Sequence, residues 1–345
     1  MTLVFLLVLV LAIHLTYLVW LWLAPVAPDA PTATHHTTAE SGLPRIDIFV
    51  PTLNEEAFIA QKLEDLQRLA YPQHLLSINV LDGGSDDRTL DLITAASAAS
   101  AAATAAASAD GAADTARINI VRTGLRGKAA QLGAGLPRAT ADFILVTDAD
   151  ARLAPDALAR LVAAMQADDT VGVAGVPVTP PQGDAHPAEH LHWRLLNWMH
   201  RQEARRGSAS IVTGPCYLLR RGIVSRIPEG VVADDVFVSC MAAAAGYRIA
   251  WVDTLVTELR APRTAREMFQ YRRRRGGAYL REVMRFLPRV PRMTPPARAI
   301  FLWRAALVLT IPFGGAALAV ACLLAAATFT TLATSPKEPK EETVR

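Results

Sequence analysis

Three times within the first 150 residues, an apolar run breaks off into a polar loop that carries carboxylates. Residues 46–50 run into Pro51-Thr52-Leu53-Asn54-Glu55-Glu56, residues 75–81 into Asp82-Gly83-Gly84-Ser85-Asp86-Asp87, and residues 142–147 into Asp148-Ala149-Asp150. A further short run at 118–122 lies between the last two. Between them the pattern turns helical: Phe58, Ile59, Leu63, Leu66 and Leu69 share one face of a helix expected over 55–70. A second helix is expected to begin at 88 and to pass into an Ala-, Ser- and Thr-rich stretch ending near 116, a helix extension or a variable loop where no chemistry is expected, and a third over 128–137. Strands alternating with helices predict an α/β fold, a mostly parallel sheet covered by helices. Ligands of such sheets sit beyond the carboxyl ends of the strands, where all three polar loops fall.

The rest of the 345 residues divides by composition. Residues 1–24 form an apolar run without Asp, Glu, Lys or Arg, long enough to cross a hydrocarbon core of roughly 30 Å. The run has no basic leader and exceeds the about 7–15 apolar residues of a signal peptide, so it reads as an uncleaved anchor. Residues 25–44 are a Pro-, Ala- and Thr-rich linker, and 45–279 a catalytic domain. Residues 280–298 set Leu280, Val283, Met284, Phe286 and Leu287 among arginines, as an interfacial amphipathic segment would. A second transmembrane segment is expected over 299–333, spanning once or re-entering at Pro312 and Gly314-Gly315, before a polar tail over 334–345.

A net charge of +3 conceals thirteen arginines against two acids between Arg260 and Arg304. That bias predicts a two-span membrane protein with its catalytic domain in the cytoplasm. Anionic lipid headgroups, rather than nucleic acid, are the expected partners of the arginines. Cys216, Cys240 and Cys322 lack metal spacing and read as packing residues of a reduced compartment.

Of the loops, Asp148-Ala149-Asp150 speaks most clearly. Two carboxylates one residue apart at the end of a buried strand suit Mg²⁺ or Mn²⁺, hard cations that complete their shells with water and substrate phosphates. A solvated turn with a helix cap remains open for this loop taken alone. The same holds for Asp82-Gly83-Gly84-Ser85, where Ser85 or Asp86 would cap the next helix. Gly127-Lys128-Ala129-Ala130 lacks the spacing of a phosphate-binding P-loop.

Taken in order, Pro51-x-x-Asn54-Glu55, Asp82-Gly83-Gly84-Ser85-x-Asp87-x-Thr89, Gly127-Lys128 and Asp148-x-Asp150 resemble the large family 2 of inverting glycosyltransferases. Asp234-Asp235, followed by Gly246-Tyr247-Arg248, and the segment from Thr213-Gly214 to Arg221 extend the resemblance over residues 45–290. It implies the GT-A fold, a Rossmann-like mixed sheet, and hexosyl transfer from a nucleotide-sugar, with a UDP-sugar as the expected donor. It also implies roles. Pro51, Asn54, Glu55, Asp82, Lys128 and Asp148 would line the donor, Asp148 and Asp150 would meet the metal, and Asp235, with Asp234 beside it, would be the general base. Gly214, Gln270 and Arg273 fall on the diphosphate and acceptor side. Gln270-Tyr271-Arg272-Arg273-Arg274 matches the family's Gln-x-x-Arg-Trp without its Trp, which argues against processive chain synthesis. The arginines of that segment would stabilise the diphosphate or hug the membrane. Two flanking apolar segments point to a lipid acceptor. A polysaccharide synthase and a non-catalytic nucleotide-sugar-binding protein are the alternatives.

Overall fold

The computed structural model describes residues 2–23, 42–110, 115–183 and 185–310, with 320 and 323. They fall into two compact units, Ala24–Leu302 and a smaller one of Met1–Leu23 with Trp303–Arg345. In the smaller unit, α1 (Thr2–Leu23) is uniformly apolar in sequence and presents no amphipathic stripe. The Trp303 ring packs 5.2 Å from Tyr17 and 5.7 Å from Trp20, and its indole N–H donates to the Ile13 carbonyl. Counted over the described residues alone, no helix is long and apolar enough to cross a membrane, so the two expected spans are not shown. Several α1 side chains, most of 299–333, most of the linker and the tail lie outside the described residues.

The larger unit opens with the expected alternation: β1 (Ile46–Thr52), α2 (Ile59–Gln67), β2 (Leu76–Asp82), α3 (Thr89–Asp110), β3 (Arg117–Arg122), α4 (Lys128–Gly135) and β4 (Phe143–Thr147). β1 and β4 are buried along their whole length, as strands covered on both faces are. α2 starts four residues later than its periodicity predicts. Asn54 takes a left-handed φ of 57°, a conformation Asn tolerates better than most residues, and the amides of Phe58 and Ile59 close a turn onto the Glu55 carbonyl. α3 carries the helix into the Ala-, Ser- and Thr-rich stretch as far as Asp110, and 111–114 lie outside the described residues. Its small residues serve packing: Ser97 and Ser100 donate to the Ile118 and Ala116 carbonyls, drawing the helix close to β3.

Beyond β4 come β5 (Ala151–Leu153), α5 (Ala157–Ala167), β6 (Val171–Gly175), β7 (Val178–Thr179), α6 (Pro187–Ala204), β8 (Cys216–Arg220), α7 (Asp234–Ala244), β9 (Arg248–Trp251), β10 (Val256–Glu258) and α8 (Ala265–Phe286). The main sheet has seven strands in the order β3-β2-β1-β4-β8-β6-β9. All neighbours are parallel except β8, which runs antiparallel to both β4 and β6. That reversal positions the site: Thr147 at the end of β4 pairs with Cys216 at the start of β8, so Thr213-Gly214-Pro215 arrives beside Asp148. A small sheet β5-β10-β7 pairs Glu258 with Ala151 and brings the chain after β10 alongside Asp150.

The expected interfacial segment 280–298 is not a separate element. α8 begins at a capping box, Thr264 with Glu267, and runs through the anticipated boundary at 279 to Phe286; a short 3-10 stretch, Leu287–Arg292, follows. Val283, Phe286 and Val290 are buried within the larger unit, and Phe286 meets Phe237 of α7 edge-on at 5.6 Å. The apolar stripe covers protein; of the residues that defined it, Met284 stays exposed.

Candidate active site

Lys128 is the hub. It opens α4 after Gly127, which has φ 105°. Its ammonium lies 2.7 Å from Asp148 Oδ1 and 3.3 Å from Asp234 Oδ2, and donates to the Gly214 carbonyl at 2.6 Å. Burial works against its charge, but the surrounding carboxylates outweigh burial and hold its pKa above the ordinary lysine value. One side chain therefore ties the loop after β4 to the first turn of α7 across the turn before β8.

Asp234 and Asp235 are adjacent in sequence and differ in surroundings. Asp234 is buried, accepts from the Tyr217 hydroxyl at 2.8 Å and faces Lys128; burial raises its pKa. Tyr217, buried beside these acids, is pushed well above its usual range and stays a neutral donor. Asp235 is only partly buried. One of its oxygens accepts from the Val236 amide at 2.9 Å, in the first helical turn where a carboxylate is favoured. Its other oxygen faces Gly214, where an added Cβ would stand 3.4 Å from Asp235 Oδ2 and 3.7 Å from Lys128 Nζ. The missing side chain leaves a small space that Asp235 and Lys128 share.

Around Asp150 the charges crowd. Burial first, then Asp148, raises its pKa, while Arg260 at 3.9 Å offsets only part. Arg260 also holds Glu55 at 2.8 Å and stacks 4.7 Å from the Phe58 ring. Burial raises Glu55 as well, and its second carboxylate oxygen is buried without a hydrogen-bond partner. Glu258 is pushed up to about 7 by burial and accepts from the Tyr271 hydroxyl at 3.2 Å. Beneath the loop, Lys62 is fully buried, and desolvation lowers it to about 8.

The loop after β2 is built otherwise. Asp82, buried, accepts from the Gly84 and Ser85 amides and from the Ser85 hydroxyl at 2.6 Å, so its carboxylate first organises its own turn. Its remaining lone pairs are compatible with a base contact. Gly83 has no room for a side chain: a Cβ would come within 2.7 Å of the Leu125 carbonyl. Asn54 zips this loop to the first one, its amide nitrogen donating to Asp86 at 2.7 Å and its oxygen accepting from the Asp86 amide. Asp87, rather than Ser85 or Asp86, receives the Thr89 amide at the start of α3. Pro51 is buried in β1 opposite Leu81.

The loops after β1, β4 and β10, the turn before β8 and the first turn of α7 thus meet around Lys128 and Arg260. The family model described as glycosyl transferase family 2 matches residues 47–227, and the related family group 2 model matches 143–331. The chain belongs to glycosyl transferase family 2. A probable glycosyltransferase of Bacillus subtilis, YdaM, is 26% identical over 71% of this chain and 57% of its own length. A β-monoglucosyldiacylglycerol synthase of Trichormus variabilis is 28% identical over 37% of this chain and 25% of its own. The chain thus spans little more than half the length of the curated relatives it matches, or less. A mannosyltransferase of Pyrobaculum calidifontis, solved with GDP-Man and Mn²⁺, shares 26% identity at a TM-score of 0.67, covering 96% of this chain and 91% of that one.

In this family 2 chain two expected residues stand apart from these contacts: Gln270 and Arg273 are both exposed on α8. Their neighbours turn inward instead. Arg272 pairs with buried Glu189 at 2.9 Å, and Arg275 approaches Glu258 at 3.6 Å and stacks 4.2 Å from the Tyr271 ring. The helical period explains the shift, since 271, 272 and 275 share a face that 270 and 273 do not. Arg260 was read with the membrane-facing arginines, and Glu258, Lys62 and Tyr217 were not singled out. The signal for Glu258 and Arg260 was the same as for the other loops, a short apolar strand ending in charge. Cys216 and Cys240 are free and buried, as packing residues should be.

Proposed function

We propose that this family 2 member transfers a hexosyl group from a nucleoside-diphosphate sugar to a hydroxyl of a membrane lipid, with inversion. The observation that carries the reading is the Lys128 bridge, which sets a donor-side carboxylate, Asp148, and an acceptor-side pair, Asp234-Asp235, around one ammonium. Asp235 takes the acceptor proton as that oxygen bonds to the sugar carbon and the nucleoside diphosphate departs on the opposite side. Lys128 lies where it offsets negative charge growing on the diphosphate. Asp234, held by Tyr217 and Lys128, keeps the first turn of α7 in place.

Among the described residues no group of three or more His, Cys, Asp or Glu is arranged to hold a metal alone. Asp148 and Asp150 nonetheless fit Mg²⁺ or Mn²⁺: both are hard oxygen donors, and the crowding that raises Asp150 is what a cation would relieve. Bound there, the ion would supply charge neutralisation at the leaving diphosphate. The Mn²⁺ and GDP-Man held by the archaeal mannosyltransferase support the metal and the donor class. The family resemblance implies a UDP-sugar, and Glu55, with its unpartnered buried oxygen, suits a ribose hydroxyl.

The lipid acceptor rests on the glycolipid synthase among the relatives and on the apolar segments 1–24 and 299–333, which we read as two spans holding the catalytic unit at the cytoplasmic face of the cell membrane. Full-length protein in membranes, given a panel of UDP- and GDP-sugars with Mn²⁺ and lipid extract, should yield lipids heavier by one hexose by mass spectrometry. Transfer to water-soluble acceptors in preference to lipid would overturn the acceptor, and products of many sugars would favour a synthase.

A further inference from the structure

Lys62 belongs to none of the loops that meet the donor, yet it holds the one that carries the metal-site carboxylates. It lies on α2, is 2% exposed, and donates to the Thr147 hydroxyl and to the Ala151 carbonyl, each at 2.7 Å. These two acceptors flank Asp148-Ala149-Asp150. The Thr147 hydroxyl in turn donates to the Pro215 carbonyl at 3.1 Å, which also accepts from the Asp148 amide at 3.1 Å. Pro215 follows Gly214, whose carbonyl takes the Lys128 ammonium. The three-residue loop is thus gripped by two lysines, Lys128 on a carboxylate within it and Lys62 on the backbone and hydroxyl on either side of it. Among the described residues Lys62 makes no ion pair within 4.0 Å. A buried ammonium without a carboxylate partner is costly, and an apolar side chain of similar length would fill the volume at less cost. Packing therefore does not account for a lysine here; its two directional bonds do.

We propose that Lys62 is a positioning residue that fixes the separation of the Asp148 and Asp150 carboxylates, so that affinity for a divalent cation and for the diphosphate depends on a side chain that touches neither. The proposal rests on the metal- and donor-binding reading above. Outer partners that orient metal-binding groups typically contribute about 10–100-fold to metal affinity, and this is the size of effect expected.

The test compares wild type, Lys62→Met and Thr147→Val as full-length protein in detergent. Mn²⁺ binding is followed by electron paramagnetic resonance, UDP and GDP binding by calorimetry with and without Mn²⁺, and thermal unfolding by circular dichroism. Lys62→Met is expected to unfold in the metal-free state at or above the wild-type temperature, to bind Mn²⁺ about 10–100-fold more weakly, and to lose the Mn²⁺-dependent gain in nucleotide affinity. Thr147→Val, which removes one of the two anchors, should shift Mn²⁺ affinity in the same direction by less, and it decides the question should Lys62→Met fail to fold. Wild-type Mn²⁺ and nucleotide affinities in whichever of these variants folds would overturn the proposal alone. Failure of the wild type to bind either Mn²⁺ or a nucleotide would overturn the functional reading and this inference with it.

Discussion

The loops after β2 and β4 begin alike, each a buried parallel strand running into acids, and end differently. At Asp82 the carboxylate accepts from its own turn, and Asn54 and Asp86 lace the turn to its neighbour. At Asp148 and Asp150 the acids face each other and two cations, Lys128 and Arg260, and burial raises Asp150. A carboxylate that its own backbone satisfies is scaffold first. Carboxylates crowded together while half-buried are held at a cost, and such places are where function is concentrated.

The contrast can be tested most severely on the acceptor side. Asp235→Asn should lower turnover by about 10²–10⁴-fold with an unchanged circular dichroism spectrum, because a positioned general base is worth that much and its amide replacement fits the same space. Full turnover would remove the base assignment. Next, Asp150→Asn should weaken Mn²⁺ activation by at least the roughly 10–100-fold attached to outer partners. Its thermal stability should hold or rise, since the change removes a like charge from beside Asp148; a marked loss of stability would make Asp150 scaffold like Asp82. Asp82→Ala should do the reverse, costing about 1–3 kcal/mol in urea unfolding through the orphaned Gly84 and Ser85 amides. Its activity loss should appear in donor KM more than in kcat.

The smallest effect concerns Glu258. The unfolded chain releases this proton near the ordinary 4.5, whereas burial makes the native state keep it to about 7. The native state binds more protons between those values, so this group's contribution to stability falls as pH rises from 4.5 to about 7 and then levels off. Urea unfolding of Glu258→Gln across that range should show a shallower decline than wild type.

How far the sequence carried follows from the same contrast. The strand-end loops were legible because parallel strands buried on both faces leave long apolar runs, and polarity can enter only where they end. Asp148 and Asp150 are read from that boundary, whereas Lys128, Asp234 and Asp235 open helices and are read from the resemblance. Gln270 and Arg273 stand on the exposed face of α8, apart from the inward-turned Arg272 and Arg275, because a motif counts residues whereas α8 turns once in about 3.6 of them. In the segment 280–298 the pattern leaves the covering surface open, since an amphipathic stripe looks the same whether lipid or protein covers it; Val283 and Phe286 are buried in protein and Met284 is exposed.

What this sequence determined by itself was the alternation of strand and helix, the carboxylates at the strand ends and their order, since local pattern and period decide those. Only the tertiary structure decided which charges meet. The antiparallel entry of β8 delivers Gly214 and Pro215 to Asp148, β10 delivers Glu258 and Arg260 to Asp150, and α2 sets Lys62 beneath both. Arg260 also reaches Glu55, 205 positions away, and no local periodicity encodes a separation of that length.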